Sequence, residues 1–225
     1  MRNKILFVSI CVIASLLILS CSKDSDMFRF SAIGTIESQN TIYLDFDKKL
    51  IHIQENIPAE FIVGDRVVAS FELIDTISQI TAHIVEIEKI PSETIIDITA
   101  SDYLADTLFN NVTHSIKRMW ISRDFLTVDF LFSGVDYDLH QFQLARIDSL
   151  NPPKQGMSKR DTITLNFRHY NGGDEKSSQI QQNLHSFNLS GLKPLYHDSV
   201  LLIIKTELYR TDTTSITDTR PFYYK

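Results

Sequence analysis

Beyond its first twenty residues the chain repeatedly alternates apolar and polar side chains with a period of two. Thr41–Asp47 sets Ile42, Leu44 and Phe46 on one face, with Tyr43, Asp45 and Asp47 on the other. Arg66–Leu73 sets Val67, Ala69, Phe71 and Leu73 against Arg66, Val68, Ser70 and Glu72. Such alternation predicts half-buried strands. Phe28–Glu37, Lys49–Gln54 and Thr81–Ile90 read the same way, giving five short strands before Pro91. Gly64-Asp65 supplies a tight turn. Five strands of this kind predict a small closed barrel of the OB type.

Pro91 ends the pattern. Ser92–Asn110 lacks clean alternation, and Ser101-Asp102-Tyr103-Leu104 reads as a capped helical turn. Strand spacing then resumes at Met119–Ser122, Phe125–Ser133, Leu139–Ile147, Thr162–His169, Leu184–Leu189, Val200–Tyr209 and Arg220–Tyr224. Gly134 and Asn171-Gly172-Gly173-Asp174 mark turns. Seven strands at this spacing predict an immunoglobulin-like β-sandwich. The expected fold is therefore all-β: an OB-like five-stranded barrel over 28–98, then the sandwich over 99–225.

The opening segment has a different pattern. Arg2 and Lys4 precede an apolar run from Ile5 to Leu19, which ends in Ile18-Leu19-Ser20-Cys21. A basic start, an apolar stretch and a small residue before the cut predict a secretory signal over 1–20. A cysteine just after that small residue makes it a lipobox. Cleavage before Cys21 frees an amine and a thiol for acylation, and two or three chains anchor stably. An uncleaved span is the plainer alternative, but the run is short for a bilayer. Residues 21–27 are then a tether to the membrane.

The 225 residues contain two cysteines, Cys11 and Cys21. Everything after Cys21 therefore lacks a thiol, which excludes disulfides, thiol catalysis and cysteine-bound metals in the folded body. Removing 1–20 removes two of 22 basic residues and none of 28 acidic ones, so 20 − 28 leaves a net charge of −8. An acidic body of this kind is a poor nucleic-acid binder, since phosphate affinity rests on clustered Lys and Arg.

Candidate chemistry is sparse. His140, His169 and His185 each continue an apolar strand face toward a strand end, and Asp174 lies in a nearby turn. If the ends met, the four side chains would have the types a zinc or copper site uses. The plainer reading is a set of partly buried histidines bonded to backbone or to a turn carboxylate. Asp45/Asp47 and Asp136/Asp138 are carboxylate pairs, but both fall beside turns and read as solvated turn acids. Trp120 reads as a sandwich-core residue rather than a sugar platform. No serine elbow or phosphate-binding glycine loop occurs, and no motif calls for a cofactor or a resident metal.

The lipobox, the barrel with Gly64-Asp65-Arg66-Val67, and a sandwich opening with Met119-Trp120-Ile121-Ser122 and Asp124–Val128 together resemble the NigD-like family of Bacteroidetes lipoproteins. Leu165–Asn171 with Asp174, and His185-Ser186-Phe187-Asn188-Leu189, resemble its C-terminal half, although Tyr170 interrupts the simpler Arg-His-Asn pattern. The resemblance implies two β domains at the cell envelope and no catalytic residues. The family's name, taken from a bacteriocin-associated operon, implies an accessory or self-protection role as the alternative. Ser22-Lys23-Asp24-Ser25-Asp26 is similar to the tag of surface-exposed lipoproteins in that group, interrupted by Ser25. Surface and periplasm-facing locations both stay open.

Six Asp-(Ser/Thr) steps resemble the O-glycosylation sequon of exported proteins in the same group. They present Thr76, Thr107, Ser149, Thr162, Ser199 and Thr213. The plainer reading is that Asp-Thr marks turn-to-strand junctions. The sequence thus predicts a non-catalytic outer-membrane lipoprotein that binds an envelope protein, a glycan or a peptide. Its membrane contact is the lipid on Cys21. An enzyme is the least supported class.

Overall fold

A computed structural model describes residues 28–77, 79–99, 101, 109, 114–147, 162–174, 179–195, 199–209 and 215–225. The architecture is all-β. Strands β1 (Arg29–Ser38), β2 (Thr41–Leu44), β3 (Leu50–Ile53), β4 (Arg66–Asp75) and β5 (Thr81–Lys89) close a barrel in the order β1-β2-β3-β5-β4. The β3–β5 pair is parallel and the others are antiparallel. The barrel core is the inward set Ile36, Ile42, Leu44, Ile51, Ile53, Val67, Ala69, Phe71 and Ala82. Alternation along β4 works as expected: Val67, Ala69 and Phe71 point in, and Arg66 and Val68 point out.

Phe46 departs from its expected place on the core face. Strand β2 ends at Leu44, Asp45–Asp47 form a turn, and Lys48 takes φ of 53° to begin the return. The turn breaks the period-two register, so Phe46 is left 58% exposed.

The sandwich has nine strands among the described residues. Strands β6 (Ser92–Thr94) and β7 (Ile96–Ile98) are followed by β8 (His114–Ser122), β9 (Phe125–Ser133), β10 (Gln141–Ile147) and β11 (Thr162–Tyr170). Strands β12 (Ile180–Asn188), β13 (Val200–Tyr209) and β14 (Ser215–Tyr224) complete it. One sheet runs β14-β13-β11-β10-β7 and the other β6-β12-β9-β8. Phe130, Phe132, Phe142, Phe167 and Phe187 meet between the sheets, with ring centroids 4.5–6.2 Å apart in the contacting pairs.

Two features differ from the sequence expectation. Strands β6 and β7 are three residues each, too short to show alternation, and they join the sandwich by parallel pairing with β12 and β10. Strand pairing therefore changes from barrel to sandwich at Ile90–Pro91, ahead of residue 98. Together with the parallel β11–β13 pair, they give the sandwich three parallel pairings that a seven-strand antiparallel reading lacks. Of the expected helical turn, Ser101 alone lies within the described residues.

Candidate functional site

The barrel rests on the outer face of the β6-β12-β9-β8 sheet, and the polar side chains between them form a seam. Arg66 points out of the barrel by strand parity, and its side chain is fully buried in the contact. Its Nη1 donates to Thr35 Oγ1 at 2.8 Å and to Asp45 Oδ1 at 2.7 Å. Its Nη2 donates to Asp45 Oδ2 and, at 2.9 Å, to Thr127 Oγ1 on β9. Thr127 in turn shares a 2.9 Å bond with Ser186 Oγ on β12. Trp120 Nε1 donates to Asp45 Oδ2 at 2.7 Å, and its ring packs 5.1 Å from Phe46. The Arg66 guanidinium also lies 5.4 Å from the Phe125 ring.

A bidentate pair with no exposed atoms offsets its desolvation through its other valences, and here Thr35, Thr127 and Trp120 use them all except the buried Arg66 Nε. The backbone continues the seam, with Ser186 N–H donating to Pro91 O at 2.9 Å. At the rim, Arg123 sits 4.0 Å over the Tyr43 ring and 3.5 Å from Glu37. Those groups are half-exposed, and screened pairs of that sort contribute little.

Beside the seam opens a groove of about 470 Å³. The barrel wall supplies Val68, Glu88, Lys89, Ile90 and Pro91, and the sandwich supplies Tyr137, Gln182, Asn183 and Leu184. Glu88 is exposed, while Lys89 is taken by Asp65 at 2.7 Å.

The predicted histidine cluster forms only in part. His140 Nδ1 and His169 Nε2 are 2.7 Å apart, and His140 Nε2 lies 3.4 Å from Asp174 Oδ2. The backbone N–H groups of Asp136 and Val135 hold the Asp174 carboxyl below its usual range. An anionic Asp174 orients His140 with Nε2–H toward it, so a neutral His140 accepts from His169 Nε2–H at Nδ1. Two nitrogens on one tetrahedral zinc stand roughly 3.3 Å apart, so this closer spacing is a hydrogen bond. His185 lies elsewhere, with its Nδ1 3.4 Å from the Tyr137 hydroxyl and its Nε2 3.8 Å from Glu93. No group of three metal-ligating side chains occurs among the described residues. The His140–His169–Asp174 chain clips the loop after β9 to strands β10 and β11.

Burial lowers the His185 pKa to about 4, and raises that of Tyr137 to about 12 with help from the charges of Glu93 and Asp138. Both are therefore neutral near pH 7. The unfolded chain protonates His185 near 6.5 and the folded chain only near 4, so acid favours unfolding across that window. Urea unfolding should show His185 costing about 3 kcal/mol between pH 7 and pH 4, at 1.36 kcal/mol per unit. His185→Phe should flatten that part of the pH dependence, and an unchanged slope would contradict the assignment.

Two sequence readings are corrected here, for Asp45 and Trp120. Asp45, read as a solvated turn acid, is the buried partner of Arg66, whereas its neighbour Asp47 is exposed. Arg66 faces away from the barrel core as expected, yet it meets the sandwich and not solvent. Trp120 lies on the outer sheet face at the seam and not in the sandwich core. Asp136 and Asp138 remain turn acids, with Asp136 Oδ1 accepting from Asp138 N at 3.1 Å. Thr76, Thr162 and Ser199 are exposed. Thr107, Ser149, Thr213, Cys21 and the rest of 1–27 lie outside the described residues. No helix among the described residues is long and apolar enough to cross a membrane.

A family profile described as NigD-like C-terminal beta sandwich domain matches residues 94–219, more than half of the 225 residues. No curated protein matches the chain. Among solved structures, a protein of unknown function from Bacteroides vulgatus is similar with a TM-score of 0.63 at 18% identity. The match covers 88% of this chain and 92% of that one. A NigD-like immunity protein from Bacteroides caccae is similar with a TM-score of 0.59 at 14% identity, over 85% of this chain and 91% of that one. Likeness at these identities is likeness of fold.

Proposed function

The chain belongs to the NigD-like family, and on that premise we propose that it is a non-catalytic, lipid-anchored binding or scaffold protein of the cell envelope. The groove between barrel and sandwich carries this reading. Its walls come from two lobes joined by the bonds that a buried barrel ion pair makes to Thr127 and Trp120 of the sandwich, so its shape is fixed before anything enters it. Tyr137 in its wall and His185 beside it are both neutral at pH 7, which suits binding and not proton transfer. The occupant is an envelope protein, a glycan or a peptide.

Cys21 supplies the anchor at the outer membrane, facing the surface or the periplasm. Cys21→Ala should abolish lipid labelling and leave the unprocessed precursor, while far-ultraviolet circular dichroism of the body stays unchanged. Labelling that persists in this variant would contradict the lipobox. The exposed Thr76, Thr162 and Ser199 are proposed to carry O-linked sugar, along with Thr107, Ser149 and Thr213. Intact mass of the exported chain should then exceed the lipidated polypeptide by whole hexose-type increments.

The reading is tested by a photocrosslinking residue placed at Asn183 in the groove, with Tyr223, which is 80% exposed, as the control position. A discrete adduct in intact cells from Asn183 and none from Tyr223 supports it. No adduct from Asn183, or identical adducts from both, contradicts it. Likeness to an immunity protein favours one second reading, self-protection in a bacteriocin system. Sensitivity to a co-encoded toxin after deletion of the gene would decide for it.

A further inference from the structure

The floor of the groove is a sheet edge. Strand β12 pairs with β9 along its whole length, from Ile180↔Ser133 to Asn188↔Phe125. On its other side β6 covers only Ser186–Asn188. The parity of β12 is fixed at both ends: Gln179 O accepts from Gly134 N on the β9 side, and Ser186 N donates to Pro91 O on the outer side. Gln182 and Leu184 therefore turn their backbone N–H and C=O groups away from β9. They face the wedge between β12 and the Ile90–Pro91 segment that leads from the barrel into β6.

Two observations mark this edge as waiting for a strand. The Leu184 N–H is capped by the neighbouring Asn183 Oδ1 at 2.7 Å, a local substitute for a ladder bond. The recess, about 470 Å³, lies along a three-residue edge of roughly 10 Å at about 3.3 Å per residue. Those dimensions suit a short extended backbone. Charge then selects among peptides. Glu88 on the barrel wall and Glu93 beside His185 have no cation among the described residues, and Lys89 is neutralised by Asp65. Lys117 and Arg118 lie on β8, bonded to Gln182 and Asp129.

We infer that the groove takes an extended, basic peptide segment, which adds as a strand to the Gln182–Leu184 edge of β12 and sets a cation against Glu88 and Glu93. This rests on the groove being the recognition surface. Main-chain bonds would supply affinity, and the acids specificity.

The probe is a fluorescent hexapeptide of alternating Lys and Val, titrated into the Cys21→Ser mature chain. Saturable binding is expected, with slowed amide exchange at Gln182 and Leu184. N-methylation of alternate peptide amides should weaken it at least about tenfold, and so should Glu88→Lys with the original peptide. Leu184→Pro, which removes an outward N–H and no β9 bond, should do the same, with its melting temperature checked alongside. Absence of binding, or binding indifferent to N-methylation and to Glu88→Lys, overturns the inference. A groove adduct in cells together with a failed peptide titration would reject the strand-addition mode alone. Failure of the Asn183 adduct rejects the recognition surface itself.

Discussion

Replacing Arg66 with Met should cost about 3–5 kcal/mol of stability, because it leaves Asp45 buried without its partner. The loss would not come from the barrel core, which Arg66 never enters. It would come from the seam, where Thr35 and Thr127 lose their donor and Asp45, still bonded to Trp120, loses its counter-ion. Denaturant midpoints of the single and paired variants check this. Asp45→Leu alone should be similarly damaging. The pair Arg66→Met with Asp45→Leu should recover most of the loss, since a well-packed apolar replacement of a buried ion pair is often neutral. If the double variant is as weak as the sum of the two singles, the seam's charge pairing is not what holds it.

Phe130→Ala should be equally costly, at about 3–5 kcal/mol, for a different reason. Phe130 is fully buried between the sandwich sheets and touches the rings of Phe132, Phe142 and Phe167. Strands on both sides hold that space open, so truncation leaves a cavity that cannot collapse. Tyr223→Ala, on an 80% exposed position, should change the same midpoint by about 0.5 kcal/mol or less. A Phe130→Ala loss no larger than the Tyr223→Ala change would mean that this core is not packed as described.

The strands were legible because period-two alternation is local. Val67, Ala69 and Phe71 could be assigned to one face from β4 alone. What covers the opposite face is not local information. Arg66 obeys its parity, but only the docked sandwich turns its face from solvent to interior. Asp45 and Trp120 were misplaced for the same reason, since their partners lie 21 and 75 residues away. Short edge strands such as β6 escape a periodicity argument because three residues hold barely one period. The histidines were legible as strand-end residues, but their convergence depended on the register between β10 and β11, which places Phe142 opposite His169.

The central claim is that the seam makes barrel and sandwich one rigid body, so that the groove keeps its shape. The absence of any thiol after Cys21 makes a direct test clean. In a Cys21→Ser mature chain, Glu86→Cys on β5 and Tyr223→Cys on β14 can carry a pair of spin labels, and the distance distribution between them can be measured by pulsed electron paramagnetic resonance. The account predicts one narrow distance in the wild-type background, broadened by Arg66→Met. A broad or two-peaked distribution with Arg66 in place would contradict it.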